Sequence, residues 1–228
     1  MSKIKAIFFD LDDTLVNSRN AEIKAACEFK KKFPEFDNME DKEFEELWHK
    51  IAIEQYERYS KNEISYERHR IDRVKSLFSK FNIEKNDDEA RQIFNIYLEL
   101  YEKNWKLFDD SKEVLEKLKG NYKLGLITNG DSNQQRKKIS LTEIGDYFSN
   151  IIISSEAEVS KPNKKIFEIA CEKIEEEPQN CVMIGDSYKL DIQGAENYGL
   201  NAIWINRKNE KIEYGNQIKE LQEILNLL

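Results

Sequence analysis

Apolar positions along the chain follow two rhythms. In the first half they recur every three or four residues: Phe44, Leu47, Trp48 and Ile51; Val74, Leu77, Phe78 and Phe81; then Ala90, Ile93, Phe94, Tyr97 and Tyr101. Such spacing gathers each set on one face of a helix. With an earlier stretch around Ala21 to Phe33, it predicts four helices between residues 17 and 108, packed as a small bundle. Little punctuates this region. All eight glycines lie at or beyond Gly120, and Pro34 is the single proline before that point, so long uninterrupted helices are expected.

From residue 109 onward, short apolar runs alternate with helical stretches, which is the signature of βαβ units. Strands are expected at Lys123 to Ile127, Ile151 to Ser154, Cys181 to Ile184 and Ala202 to Ile205. Helices are expected before them at Ser111 to Lys119, Ser132 to Ile139, Lys164 to Ile174 and Lys189 to Tyr198, the last stopped by Gly199. A final amphipathic helix would carry Ile218, Leu221, Leu225 and Leu228. Near the N-terminus, Ile4 to Phe9 is another short apolar run bounded by charge, as in a strand covered on both faces. It has no sheet of its own and must join the later strands. The expected architecture is therefore α/β: a Rossmann-like parallel sheet with helices on both faces, built from residues 1–16 and 109–228, carrying an inserted all-helical domain over residues 17–108.

Composition narrows the function. Charged residues make up 35% and hydrophobic residues 39% of the 228, which describes a soluble, highly charged globule with enough apolar matter for a core. A net charge of -8 argues against a nucleic-acid polymer as partner, because that requires a basic face. Cys27, Cys171 and Cys181 are scattered without Cys-x-x-Cys spacing and read as incidental thiols of a reducing compartment. No apolar stretch reaches the length of a membrane span and no signal peptide is legible, so a cytoplasmic location and no membrane partner are expected.

The chemistry collects at strand ends. Asp10-Leu11-Asp12-Asp13-Thr14 follows the first strand, Thr128-Asn129-Gly130 the second, and Gly185-Asp186-Ser187 the fourth, with Asp191 five residues beyond Asp186; Lys161-Pro162 precedes a helix. Parallel strands bring these points to one edge of the sheet, where open α/β sheets bind ligands. Paired carboxylates there are unfavourable unless a cation or proton separates them. Oxygen ligands without a His or Cys cluster suit Mg²⁺; the two histidines, His49 and His69, fall in the helical insertion and disfavour zinc. Each piece has a plainer reading on its own: Asp-rich turns cap helices, and a lysine before proline is usually solvated.

Taken together, Asp10-x-Asp12-x-Thr14, Thr128, Lys161-Pro162 and Gly185-Asp186-x4-Asp191 resemble, in order and across essentially the whole chain, the four motifs of the haloacid dehalogenase superfamily in its phosphatase branch. The resemblance implies strand order 3-2-1-4-5 and a helical cap that selects the substrate. It further implies Asp10 as nucleophile, Asp12 as the acid and base, Thr128 as a donor to phosphoryl oxygen, and Lys161 as the neutralising cation. Asp10, Asp12 through its backbone carbonyl and Asp186 would hold Mg²⁺, with Asp191 behind these ligands or bound through water. Asp12 separates the chain from carbon-halogen-cleaving members, which lack a carboxylate there. No role is assigned to Asp13.

The segment from Thr128 to Arg136, with Gln193-Gly194-Ala195 and Trp204-Ile205-Asn206-Arg207, resembles the subgroup containing N-acylneuraminate-9-phosphatases and pyrimidine 5′-nucleotidases. Asn129, Arg136 and Arg207 are candidate substrate contacts. In the insertion, Tyr56, Arg58, Tyr59, Tyr66, Arg68, His69 and Arg70 form an aromatic and basic cluster that either meets substrate or packs the bundle. The expected partner is a small phosphorylated metabolite, the expected state a monomer or small homo-oligomer, and hinges are expected near Val16 to Arg19 and Lys106 to Asp109. Two rivals remain: a phosphosugar mutase of the β-phosphoglucomutase type, whose members usually carry Gly where Asp13 stands, and a non-catalytic binding relative.

Overall fold

The computed structural model describes residues 3–61 and 63–228. Among the described residues, six parallel strands form one sheet in the order β3-β2-β1-β4-β5-β6. These are β1 (Ala6–Phe9), β2 (Lys123–Thr128), β3 (Asn150–Ile153), β4 (Cys181–Gly185), β5 (Asn201–Ile205) and β6 (Gln217–Ile218). The chain moves outward from β1 to β3 on one side, then restarts beside β1 with β4. This reversal is the topological switch point, where the C-terminal ends of neighbouring strands diverge and leave a crevice. Asp10 and Asp186 stand directly after β1 and β4, on the two sides of that point, and Asp10 N–H extends the pairing by donating to Ile184 O at 2.8 Å.

Strand residues alternate strictly between two buried layers, as a period of two demands. Ile7, Phe9, Leu124, Leu126, Val182, Ile184, Ile203 and Ile205 face one core, covered by Val114, Leu115 and Leu118 of α5 (Ser111–Lys119) and by Ile139 of α6 (Ser132–Leu141). Ala6, Phe8, Ile127, Cys181, Met183, Ala202 and Trp204 face the other, covered by α8 (Lys164–Ile174) through Ile166, Phe167, Ala170 and Ile174. A short helix, α7 (Ser154–Ala157), follows β3. At about 1.5–3 kcal/mol for each large apolar side chain fully buried, these two layers are what hold the crevice rigid. Gly125 is required in β2: a Cβ there would lie 2.6 Å from the Phe8 ring, which crosses the bare backbone.

The chain divides into two compact units, Met1–Ser18 with Lys106–Leu228, and Arg19–Trp105. The second unit is helical. It holds most of α1 (Ser18–Lys30), with α2 (Asp41–Ser60), α3 (Tyr66–Ser79) and α4 (Asp87–Lys103). Its core is aromatic, with Phe29, Phe36, Phe44, Trp48, Phe78, Phe94 and Tyr97 buried together. Asn86 and Glu89 form a capping box that starts α4. In the α/β unit the two connections to the insertion pair with each other: Val16 bridges Leu107, Asn17 N–H donates to Lys106 O at 2.9 Å, and Phe108 N–H to Leu15 O at 2.9 Å.

One local expectation is refined and one is corrected. Residues 189–198 are helical and stop at Gly199 as expected, but the helix opens with a π-helical segment, Tyr188–Gln193, before a short α9 (Gly194–Tyr198). The final amphipathic helix is instead β6 followed by a 3₁₀ segment, Leu221–Asn226, in which Ile218 points from the strand and Leu221 and Ile224 from the turn into the same core. The apolar spacing was real, but the chain meets the sheet edge before it can coil.

Candidate active site

Lys161 is the hub of the strand-end cluster. Its side chain is 2% exposed, and Nζ donates to Asp10 Oδ1 at 2.6 Å, Asp191 Oδ1 at 2.6 Å and Ile127 O at 2.9 Å. An ammonium has three protons, and all are used. Burial alone would discharge the lysine, but Asp10 and Asp191 outweigh it and hold Lys161 charged above the usual lysine range. Asp10, itself buried, is pushed well above the ordinary carboxylate range, first by burial; Lys161 opposes this, while Asp191, Asp186 and Asp12 add to it. Asp186 is raised to about 6 by burial, against Lys208, with Asp191 and Asp13 adding to the rise.

Short-range bonds place these carboxylates. Asp191, 1% exposed, accepts Ser187 N–H on Oδ2 at 3.0 Å. Asp186 is fixed through its backbone, its N–H donating to the buried Thr14 Oγ1 at 3.0 Å and its carbonyl accepting Trp204 Nε1–H at 2.8 Å. Lys208 Nζ reaches Asp186 Oδ2 at 3.0 Å and Asp13 Oδ2 at 3.2 Å, which gives Asp13 a partner that its sequence position did not suggest. Asp13 itself takes a left-handed backbone, φ 57°, in the tight turn after β1.

Asp12 stands apart from the lysine hub. One carboxylate oxygen, Oδ1, accepts from Ser18 Oγ and from Lys138 Nζ; the other accepts Gln135 Nε2–H at 2.7 Å. Burial raises the Asp12 carboxyl, but the Lys138 charge and these bonds outweigh it and hold Asp12 below the ordinary range. Gln135 and Lys138 were not legible as site residues. They occupy the buried face of α6 with Ile139, where an apolar stripe is the norm, and that anomaly is the only signal they leave.

The remaining candidates fall in different places. Asn129 grips the backbone of Lys161 at both ends, Nδ2 donating to Lys161 O at 3.1 Å and Oδ1 accepting Lys161 N–H at 2.9 Å. Thr128 Oγ1 accepts Gln135 Nε2–H at 2.7 Å and donates its own proton to Asn129 O in a long bond, 3.4 Å, that a stronger acceptor can displace. Arg136 is exposed and makes a two-pronged pair with Glu156 at 2.6 and 2.7 Å. Arg207 pairs with Asp110 at 2.8 Å, lies 3.9 Å from the Phe108 ring centre and reaches Thr14 O at 3.3 Å. Neither arginine is among the partners of the carboxylate cluster.

The donor set fits a hard divalent cation. Asp10, Asp186 and Asp191 each offer an oxygen within 4.8 Å of the others, a spacing that one cation can span. Carboxylate oxygen without nitrogen or sulfur is the ligand chemistry of Mg²⁺.

Residues 4–199 match the model of the haloacid dehalogenase-like hydrolases, and the chain belongs to that family. It is 31% identical over 215 residues to the N-acylneuraminate-9-phosphatase of Mus musculus, covering 91% of this chain and 84% of that protein. It is 37% identical over 120 residues to the pyrimidine 5′-nucleotidase YjjG of Escherichia coli (strain K12), covering 49% and 53%. The fold matches the magnesium-bound crystal structure of the HAD-hydrolase YfnB of Bacillus subtilis with a TM-score of 0.82 at 21% identity, over 100% of this chain and 99% of that one. Among the described residues, no helix is long and apolar enough to cross a membrane.

Proposed function

We propose that the protein is a Mg²⁺-dependent phosphatase that hydrolyses a small soluble phosphate monoester, a sugar phosphate or nucleotide of the cytoplasm, through an aspartyl-phosphate on Asp10. The observation that carries this reading is the buried bridge Asp10–Lys161–Asp191 with Asp186 beside it at the switch point of the sheet. The phosphatases among the relatives support the reaction class.

The residues divide the work by position. Lys161 occupies Asp10 Oδ1, which leaves Oδ2 to attack phosphorus. As the new O–P bond forms, the bond to the leaving oxygen breaks, and Asp12 supplies that oxygen with a proton. Water then attacks phosphorus, Asp12 takes the water's proton, and inorganic phosphate leaves with Asp10 restored. The ionised, clamped Asp12 is the form that accepts a proton; the negative charge of an arriving phosphate opposes the pull of Lys138 and favours the protonated form in the first step. Thr128, its oxygen already bonded by Gln135, would turn its proton from the long bond to Asn129 O towards a phosphoryl oxygen. Asp10, Asp186 and the Asp12 carbonyl would hold the Mg²⁺, with Asp191 behind them or reaching it through water; the ion supplies charge against the phosphoryl oxygens when bound. Substrate choice is assigned to the helical unit, residues 17–108 in the expected division.

Hydrolysis of p-nitrophenyl phosphate and of a panel of sugar phosphates and nucleotides, with Mg²⁺ and with chelator, tests the reading. Activity that requires Mg²⁺ and vanishes in Asp10→Asn is expected. Full activity in Asp10→Asn would remove Asp10 as nucleophile.

A further inference from the structure

The α6 face that meets Asp12 is unusual. Lys138 is 2% exposed and Gln135 is 2% exposed, three residues apart on one side of a ten-residue helix. Buried polar side chains at such positions cost stability unless they are bonded, so their presence calls for a partner. Both are bonded, and both to the same carboxylate.

The identity of the Gln135 atom is fixed by chemistry. Asp12 Oδ2 is an acceptor when ionised, so the group 2.7 Å away must be the amide nitrogen. That nitrogen has two hydrogens: one goes to Asp12 Oδ2 and the other to Thr128 Oγ1, 2.7 Å away. Gln135 thus sets the spacing between Asp12 and Thr128. Gly130 makes room for it: at φ 147°, it has no side chain to meet Gln135 Cγ, which a Cβ would approach at 3.1 Å. Asp12 Oδ1 is occupied by Ser18 and Lys138. A carboxylate offers about four lone-pair positions. Three are taken, and the one that remains is on Oδ2.

We propose that Lys138 and Gln135 are positioning residues that aim the free lone pair of Asp12 Oδ2 at the leaving oxygen, so that the helix α6 clamp sets how well the enzyme cleaves unactivated phosphate esters. This rests on Asp12 as the proton-transfer group of the proposed phosphatase. Neither residue touches substrate in this scheme. A misaimed Asp12 matters most when the leaving oxygen is strongly basic, and least when the leaving group departs unaided.

The test compares wild type, Lys138→Met, Lys138→Arg and Gln135→Leu in Mg²⁺ on 2,4-dinitrophenyl phosphate, phenyl phosphate and an alkyl phosphate. It reads kcat/KM, which reports transfer to Asp10, beside the melting temperature. Lys138→Met should lose roughly 100-fold on the phenyl and alkyl esters and under about threefold on the dinitrophenyl ester; its melting temperature should fall, because Asp12 keeps its charge and loses a partner, so all variants are assayed well below it. Gln135→Leu should show the same trend, and Lys138→Arg should recover part of the loss on the poor leaving groups. Should Lys138→Met fail to fold, Gln135→Leu carries the comparison. A loss equal across the three esters, or no loss, overturns the inference while leaving the phosphatase reading intact. A wild type that hydrolyses none of the esters overturns that reading itself.

Discussion

Gly185 makes the place in which Asp191 stands: a Cβ on residue 185 would lie 2.3 Å from Asp191 Cγ. The glycine that ends β4 therefore admits a carboxyl group to the cluster without contributing an atom to it. Gly185→Ala should push Asp191 off Lys161, cost about 1–3 kcal/mol by overpacking, and remove most activity. Urea unfolding together with turnover of p-nitrophenyl phosphate checks this; a fully active, equally stable variant would refute the packing argument.

Lys161→Met leaves Asp10 and Asp191 buried and facing each other without the ammonium between them. Breaking a buried pair by removing one partner costs roughly 3–5 kcal/mol. In chelator the variant should lose about that much. Added Mg²⁺ should restore more stability to it than to wild type, because the variant site is more negative by one charge. Unfolding curves with EDTA and with Mg²⁺ measure both quantities, and an equal response to Mg²⁺ would contradict the fit of the site to a cation.

Asn129→Ala removes two hydrogen bonds that hold the Lys161 backbone. Each is worth about 0.5–1.5 kcal/mol net, so stability should fall by about 1–3 kcal/mol. Turnover should fall with it, since Lys161 loses its anchor. If Asn129 instead met substrate, KM would rise with kcat unchanged, and the kinetic split decides between the two.

His69 gives the helical unit an acid sensitivity of its own. Burial lowers its imidazole to about 4, against the bond to Tyr66 O at 2.5 Å, and its ring stacks on Tyr59. The folded state keeps the ring neutral while the unfolded chain, near 6.5, takes up a proton. Stability is therefore complete above about 6.5, falls as pH drops towards 4, and changes no further through this group below that. The loss is on the order of 3 kcal/mol. His69→Phe keeps the stacking and should flatten the pH 4 to 6.5 portion of a denaturation series; an unchanged slope would show that other groups carry it.

Much of the fold was legible because buried parallel strands are short apolar runs that resemble little else. Ile4 to Phe9 and the four later runs all appear in the sheet, each within a residue or two of its expected limits. β6 was not legible: at two residues, Gln217–Ile218, it has no period to detect. The π-helical turn at Tyr188–Gln193 was hidden for a different reason, since Asp191 sits at a spacing that suits an ordinary helix, and what holds it inward is Lys161, thirty residues upstream, together with Ser187 N–H. At the site, strand-end position and residue type pointed to Asp10, Lys161, Asp186 and Asp191, which the fold brings together. The partners of Asp12 escaped notice because periodicity finds apolar faces, and Gln135 and Lys138 form a polar one whose justification lies over a hundred residues upstream.

The paired connections at Val16 and Leu107 have an evolutionary corollary. Because the chain leaves and re-enters the α/β unit at one stitched seam, the length and composition of what is spliced between can vary while the catalytic edge keeps its register. Exchange of that cassette is a route by which one reaction centre could acquire new clientele.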